Sequence, residues 1–335
     1  MSLRPASNIA VAALLLVLPC GVRAGADSLS SVVQGVFDRS ARAVVKIEAW
    51  DDSGPLSGTG FFIDSGGTIY TNFSVGGESH DIVIPYGAER YPATRIAADP
   101  RSGMAILKIE AQKTPFLPLG KASTLGVASL VMTIGYPLDL PVTPNIGCVG
   151  GFGISYGDRY FAVSHIRANV QAQRGEGGAP LLNMDGEVVG ILESSLDGGA
   201  GCFALPIEAA EKVRSDVVRF GGVRPGWLGI RFDKSNAAAD QVEVQGFVDQ
   251  SPAAKAGVQA GDVILQVGDR KISSLEDVLN AAFYLTAGEE VPLTVSRGGQ
   301  IMDIKVVPGP NPLAPQEQVA PVPVFNLSVR IGPGR

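Results

Sequence analysis

The sequence predicts a chain dominated by β structure, arranged as two consecutive modules and a proline-rich tail. Three observations predict it. At 335 residues the chain is long enough for about two domains. Its hydrophobic content of 45% against 18% charged residues supports packed cores and argues against global disorder. Its 42 glycines and 23 prolines punctuate many short Val/Ile/Thr/Phe runs, the pattern of strands joined by turns.

The N-terminus reads as a targeting segment. Arg4 precedes the apolar run Ile9 to Leu18, which is too short to span a bilayer, and Val22-Arg23-Ala24 fits signal-peptidase cleavage, with Ala26 as a second cleavage point. An uncleaved anchor is disfavoured because Pro19 and Gly21 would stop the helix. Residues 1–24 are therefore expected to be a signal peptide, and the rest an exported protein, periplasmic or secreted, without a stable membrane span. Losing Arg4 and Arg23 takes the formal charge from −6 to −8. An acidic chain without a basic run carries no footprint for nucleic acid. Two cysteines remain, Cys148 and Cys202. In an oxidising compartment they are a candidate disulfide, the alternative being two buried free thiols. The two histidines, His80 and His165, supply no close ligand pair, so no metal and no cofactor are expected.

The elements follow in order. Ser28 to Arg42 carries Val32, Val33, Val36 and Phe37 at helical spacing. Ala43 to Trp50 reads as a strand. Gly58 to Asp64 and Thr68 to Asn72 form a hairpin about Ser65-Gly66-Gly67, and Asp81 to Pro85 and Tyr91 to Ile96 are further strands. Arg174-Gly175-Glu176-Gly177-Gly178-Ala179-Pro180 is a Gly-rich turn that can aim backbone N–H groups at one point. A hairpin with an Asp185-Gly186 turn follows. Cys202 to Pro206 is a strand. Pro206 to Phe220 has helical period and ends at Gly221-Gly222. In the second module Ser273-Ser274-Leu275-Glu276 caps a helix through Leu285, and Val291 to Arg297 and Ile301 to Val307 are strands. The last stretch, 309–335, is proline-rich and reads as a flexible tail.

Several of these motifs together resemble the HtrA (Deg) branch of the trypsin-like serine proteases. Gly58-Thr59-Gly60-Phe61-Phe62-Ile63-Asp64 and Thr68-Ile69-Tyr70-Thr71-Asn72 are similar to that family's opening hairpin. Asp99-Pro100-Arg101-Ser102-Gly103-Met104-Ala105-Ile106-Leu107 resembles its D-P-x-T-D-L-A-V-L, and Gly175 to Leu181 its G-N-S-G-G-P-L. Ser251-Pro252-Ala253-Ala254-Lys255-Ala256-Gly257-Val258 through Gly261-Asp262-Val263-Ile264-Leu265 resembles its PDZ domain. The resemblance implies a trypsin-like double antiparallel β-barrel over 28–207, a linker helix over 208–225 and one PDZ domain over 226–308. It also implies a triad that this chain lacks. Ser74 stands at the family's histidine, Gly103 at its orienting aspartate and Gly177 at its serine, with Gly175, Glu176 and Gly177 forming a vestigial oxyanion loop. A glycine cannot be a nucleophile, and a serine cannot act as a base at neutral pH.

The implied peptide-binding residues of the second module are Leu228, Gly229, Ile230 and Phe232 on the carboxylate loop and following strand. Val278 and Ala282 on the helix read equally as groove or core. The expected function is a pseudoprotease that binds peptides or protein C-termini as adaptor, regulator or holdase in protein quality control. One alternative is a residual peptidase with a displaced nucleophile, using His80 or His165 as a relocated base. Another is a structural scaffold, assembling as a homo-oligomer or with active relatives.

Overall fold

A computed structural model describes residues 24–156, 159–196, 199–232 and 241–312. The expected signal peptide up to residue 23 and the tail beyond residue 312 lie outside the described residues. The chain opens with α1 (Ala24–Ser40), and Val36 of that helix is fully buried in the first core cluster.

The first barrel of the first module is a seven-stranded sheet. Its strands are β1 (Val44–Asp51), β2 (Gly54–Phe62), β3 (Thr68–Asn72), β4 (His80–Tyr86), β5 (Glu89–Pro92), β6 (Thr94–Asp99) and β7 (Met104–Lys108), in the order β5-β4-β1-β2-β3-β7-β6. The edge strands β5 and β6 are consecutive in sequence, separated by Ala93, whose N–H donates to Ile82 O at 2.8 Å. The sheet therefore curls until its two edges are halves of one bent strand, in keeping with the expected trypsin-like barrel. One-turn α2 (Phe73–Gly76) follows β3 directly; Asn72 caps it, accepting from Val75 N at 3.3 Å.

The second barrel of this module is closed. It contains β8 (Leu130–Gly135), β9 (Thr143–Tyr156), β10 (Arg159–Ala168), β11 (Pro180–Leu182), β12 (Val188–Leu196) and β13 (Gly201–Pro206), in the order β10-β13-β12-β11-β8-β9. Closure leaves no edge strand to manage. Phe61, Tyr70, Met104, Met132 and Ile134, from both barrels, belong to one apolar cluster. Each such fully buried side chain contributes about 1.5–3 kcal/mol relative to exposure.

Helix α3 (Ile207–Phe220) ends at Gly221 in the left-handed region, φ +75°, whose N–H returns to Val217 O at 2.8 Å. Tyr70 Oη donates to Glu211 Oε1 at 2.5 Å, tying α3 to the first barrel. Asp216 is buried and accepts from Lys212 Nζ (2.6 Å), Arg224 N (3.0 Å) and Thr286 Oγ1 (3.1 Å). It thereby joins the helix to the second module.

That module contains β14 (Gly226–Trp227), β15 (Ile230–Arg231), β16 (Val242–Glu243), β17 (Gly246–Phe247), α4 (Pro252–Lys255), β18 (Val263–Val267), β19 (Arg270–Lys271), α5 (Leu275–Phe283), β20 (Val291–Arg297), β21 (Gln300–Val306) and β22 (Gly309–Pro310). Helix α5 begins at a capping box of Ser274 and Asp277. Asn280 on its flank accepts from Ser164 N at 2.9 Å, seating the module on β10.

Candidate functional site

The Gly-rich turn is fixed by crowding. Gly175 (φ +94°) and Gly178 (φ +86°) are both left-handed. A Cβ on Gly175 would overlap Tyr136 O. One on Gly178 would overlap Thr59 O and Thr71 Oγ1 and lie 2.8 Å from Asn72 N. Both positions therefore require glycine. The turn's carbonyls are tied inward: Thr59 Oγ1 donates to Gly175 O at 2.7 Å and Thr59 N to Gly177 O at 2.9 Å. Among the described residues the N–H groups of Gly175 and Gly177 have no acceptor, so two donors remain for an anion.

Gly177 differs from its neighbours. Its φ is outside the left-handed region, and the nearest atoms to a Cβ there would be those of the Asn72 side chain, with Nδ2 at 2.7 Å. Asn72 Nδ2 in turn donates to Ser74 Oγ at 2.9 Å, and Phe73 N donates to Gly103 O at 2.5 Å. The three positions singled out in the sequence thus lie together around Asn72 and Phe73.

At Gly103 the structure holds a group that sequence reasoning missed. Gly103 is left-handed (φ +76°), and a Cβ there would fall on the Glu193 carboxyl, 2.5 Å from Cδ and 2.7 Å from Oε1. Glu193 reaches this spot from β12. Its Oε1 is shielded and has no hydrogen-bond partner among the described residues, as is true of Oδ2 of the buried Asp99. Burial, reinforced by the Asp99 charge, holds the Glu193 carboxyl well above the usual carboxylate range. The available signal was a lone acid ending the apolar run Val188 to Leu192.

Other expectations change. Glu176, the central residue of the expected oxyanion loop, is fully buried. Its carboxylate folds under the turn and accepts from Asn145 Nδ2 (2.8 Å) and Gln173 N (2.7 Å), and burial raises its pKa. The candidate disulfide is not formed: Cys148 and Cys202 are free thiols. Cys202 is buried in the barrel core, and burial pushes its thiol up to about 12, whereas Cys148 is half-buried. His80 is exposed beside Asp81, with Nδ1 3.0 Å from Oδ2. His165 is buried against Phe161 with Nδ1 on Val163 O (2.9 Å), and burial lowers it to about 4. Neither histidine bonds to Ser74, Gly103 or Gly177.

The second cluster of expected site residues is also assembled. Gly229 is left-handed (φ +74°), and a Cβ there would lie 2.8 Å from Ser251 Cα. Ser251 Oγ and Ala253 N donate to Leu228 O at 2.8 and 3.1 Å, and Val248 N to Gly229 O at 2.9 Å. With its carbonyls occupied, the loop leaves the N–H groups of Leu228 and Gly229 without acceptors among the described residues. Strand β15 pairs only with β17 among the described residues, which leaves its other edge without a described partner. Leu228, Ile230, Phe232 and Ala282 pack on one apolar cluster in which Val278 is buried.

Comparison with known proteins agrees with this geometry. Residues 58–191 match the trypsin-like peptidase domain family and residues 226–307 the PDZ domain family. The chain is 34% identical over 264 residues to a probable periplasmic serine endoprotease, DegP-like, of Bartonella henselae, covering 74% of this chain and 52% of that one. It is 31% identical over 265 residues to the protein of the same name from Chlamydia pneumoniae, covering 75% and 54%. It thus spans about half the length of these curated relatives. Among solved structures it resembles the HtrA-type protease AlgW with tripeptide (TM-score 0.68, 22% identity, 84% of this chain and 97% of that one). It also resembles a serine endoprotease from Yersinia pestis (TM-score 0.61, 24% identity, 83% and 98%). No described helix is long and apolar enough to cross a membrane. With a strand-rich trypsin-like peptidase domain followed by a PDZ domain, the chain belongs to the HtrA family.

Proposed function

We propose that this chain is an exported, periplasmic pseudoprotease whose PDZ module captures peptide segments or protein C-termini, making it an adaptor, regulator or holdase in protein quality control. One observation carries the reading: the Gly-rich turn keeps its donors and fastening bonds while Gly177, at its centre, offers no nucleophile. Ser74 supports it, because its hydroxyl accepts from Asn72 and has no histidine beside it. A covalent acyl-enzyme needs a nucleophile and a base to take its proton. The edge of β15 and the donors at Leu228 and Gly229, which have no partners among the described residues, need no such chemistry.

The relatives' names favour a second reading, a residual serine endopeptidase with a displaced nucleophile. Incubating the purified chain with a fluorophosphonate probe and with unfolded casein separates the two. The pseudoprotease reading expects no labelled serine and intact casein. Stoichiometric labelling at any serine overturns it.

A further inference from the structure

The vestigial cleft holds a carboxyl group that does not come from the position expected to supply one. Gly103 has no side chain, and the space its side chain would enter is filled by the end of Glu193. The two residues belong to different barrels: Gly103 precedes β7 of the first, and Glu193 lies on β12 of the second. Gly103 is joined to the segment carrying Ser74 by the Phe73 N–H to Gly103 O bond at 2.5 Å. The Glu193 carboxyl therefore stands at the residue-74 end of the cleft.

The geometry points to Glu193 as the acid of this site, transposed from residue 103 to a facing strand, so that the cleft lacks its base and its nucleophile but keeps its carboxyl group. The surroundings fit this role. Asp99 is buried nearby, with Oδ1 accepting from Arg101 N and Nε at 3.3 Å each and Oδ2 unpartnered among the described residues. Glu193 Oε1 is likewise unpartnered. An orphaned, shielded carboxyl oxygen is costly unless a donor can reach it. No described side chain supplies that donor; an imidazole at position 74 is suited to do so. In forming the pair, the proton leaves the Glu193 carboxyl for the imidazole, giving a carboxylate and an imidazolium.

The inference is independent of whether the unmodified chain cleaves peptides, because its test reads a proton and not a reaction. The full chain is prepared as Ser74→His and as Ser74→His with Glu193→Gln, and the introduced imidazole is titrated by NMR beside His80 and His165. In the first variant the new histidine is expected to titrate above the ordinary value of about 6.5, with a strongly downfield ring N–H resonance. In the second, its pKa is expected to fall by about one unit, a tenfold change in proton affinity, and the downfield resonance to vanish. The same pKa in both variants overturns the assignment.

If Ser74→His does not fold, occupancy of the space decides. Gly103→Asp alone should melt well below the parent chain, and Gly103→Asp with Glu193→Ser should recover part of that loss because the second change vacates the space. A Gly103→Asp variant as stable as the parent, or one that Glu193→Ser does not rescue, overturns the assignment.

Discussion

The turn at 174–179 and the loop at 227–230 each press a left-handed glycine against a wall, Gly178 against Thr59 and Thr71 and Gly229 against Ser251. Each ties its carbonyls inward and leaves two N–H groups unused among the described residues. They differ in the side chains around those donors. The vestigial cleft has Ser74 and Gly177 where the family resemblance places reactive groups. The groove has Leu228, Ile230, Phe232, Val278 and Ala282 in one apolar cluster. The difference teaches that presentation of N–H donors rests on backbone crowding and is separable from catalysis. With glycine at 177, outside the left-handed region, the turn stands on its crowded neighbours, so its anion-accepting geometry does not depend on a side chain at that position.

The largest effect that could break this comparison is kinetic. The Ser74→His/Gly177→Ser variant should react with a fluorophosphonate probe, and adding Glu193→Gln should slow the reaction by up to about 10⁴-fold, the scale seen when an orienting carboxylate becomes an amide. Adding Gly103→Asp should also slow it, since that side chain meets Glu193. Faster labelling with Gly103→Asp would return the acid role to residue 103.

Next in size are the two adjacent glycines. Gly178→Ala should cost about 3 kcal/mol or more in denaturant unfolding, through a left-handed alanine and a Cβ overlapping backbone oxygen. Gly177→Ala should cost less than about 1 kcal/mol, because only the Asn72 amide must shift. Equal losses would mean that the turn is not held by crowding.

His165 sets a pH dependence of comparable size away from both sites. Its folded pKa, lowered to about 4 by burial, lies below the unfolded value of 6.5. The unfolded chain therefore binds more protons between pH 6.5 and 4, and stability falls as pH falls through that window, by about 3 kcal/mol at its end. Unfolding free energies measured across pH 4–7 should show this slope, and His165→Leu should flatten it. An unchanged slope would assign the acid sensitivity elsewhere. The smallest effect is at Cys148: Cys148→Ser should leave the melting temperature nearly unchanged, since the thiol is half-buried and unbridged.

Much of this molecule was legible in its sequence. The hairpin about Gly66, the helix from Ile207 to Phe220 with its terminal glycine, and the capping box at Ser274 follow from local chemistry, and the structure has all three. Positions 74, 103 and 177 were found by motif. Glu193 was not, because its meaning depends on a contact ninety residues distant in sequence between two barrels, which no local pattern encodes. The burial of Glu176 was illegible for a related reason: a charged residue in a Gly-rich turn gives no sign of burial until its partners Asn145 and Gln173 are in place. The seventh strand arises from one bend at Ala93, which composition does not mark.

The most direct test of the central claim is a calorimetric titration of the full chain with short peptides ending in alanine, valine, leucine or phenylalanine, each as free acid and as C-terminal amide. The account predicts that at least one free acid binds in the micromolar range, about −8 kcal/mol, and that its amide binds at least tenfold more weakly. Absence of binding by every peptide, or equal affinity for acid and amide, would contradict it.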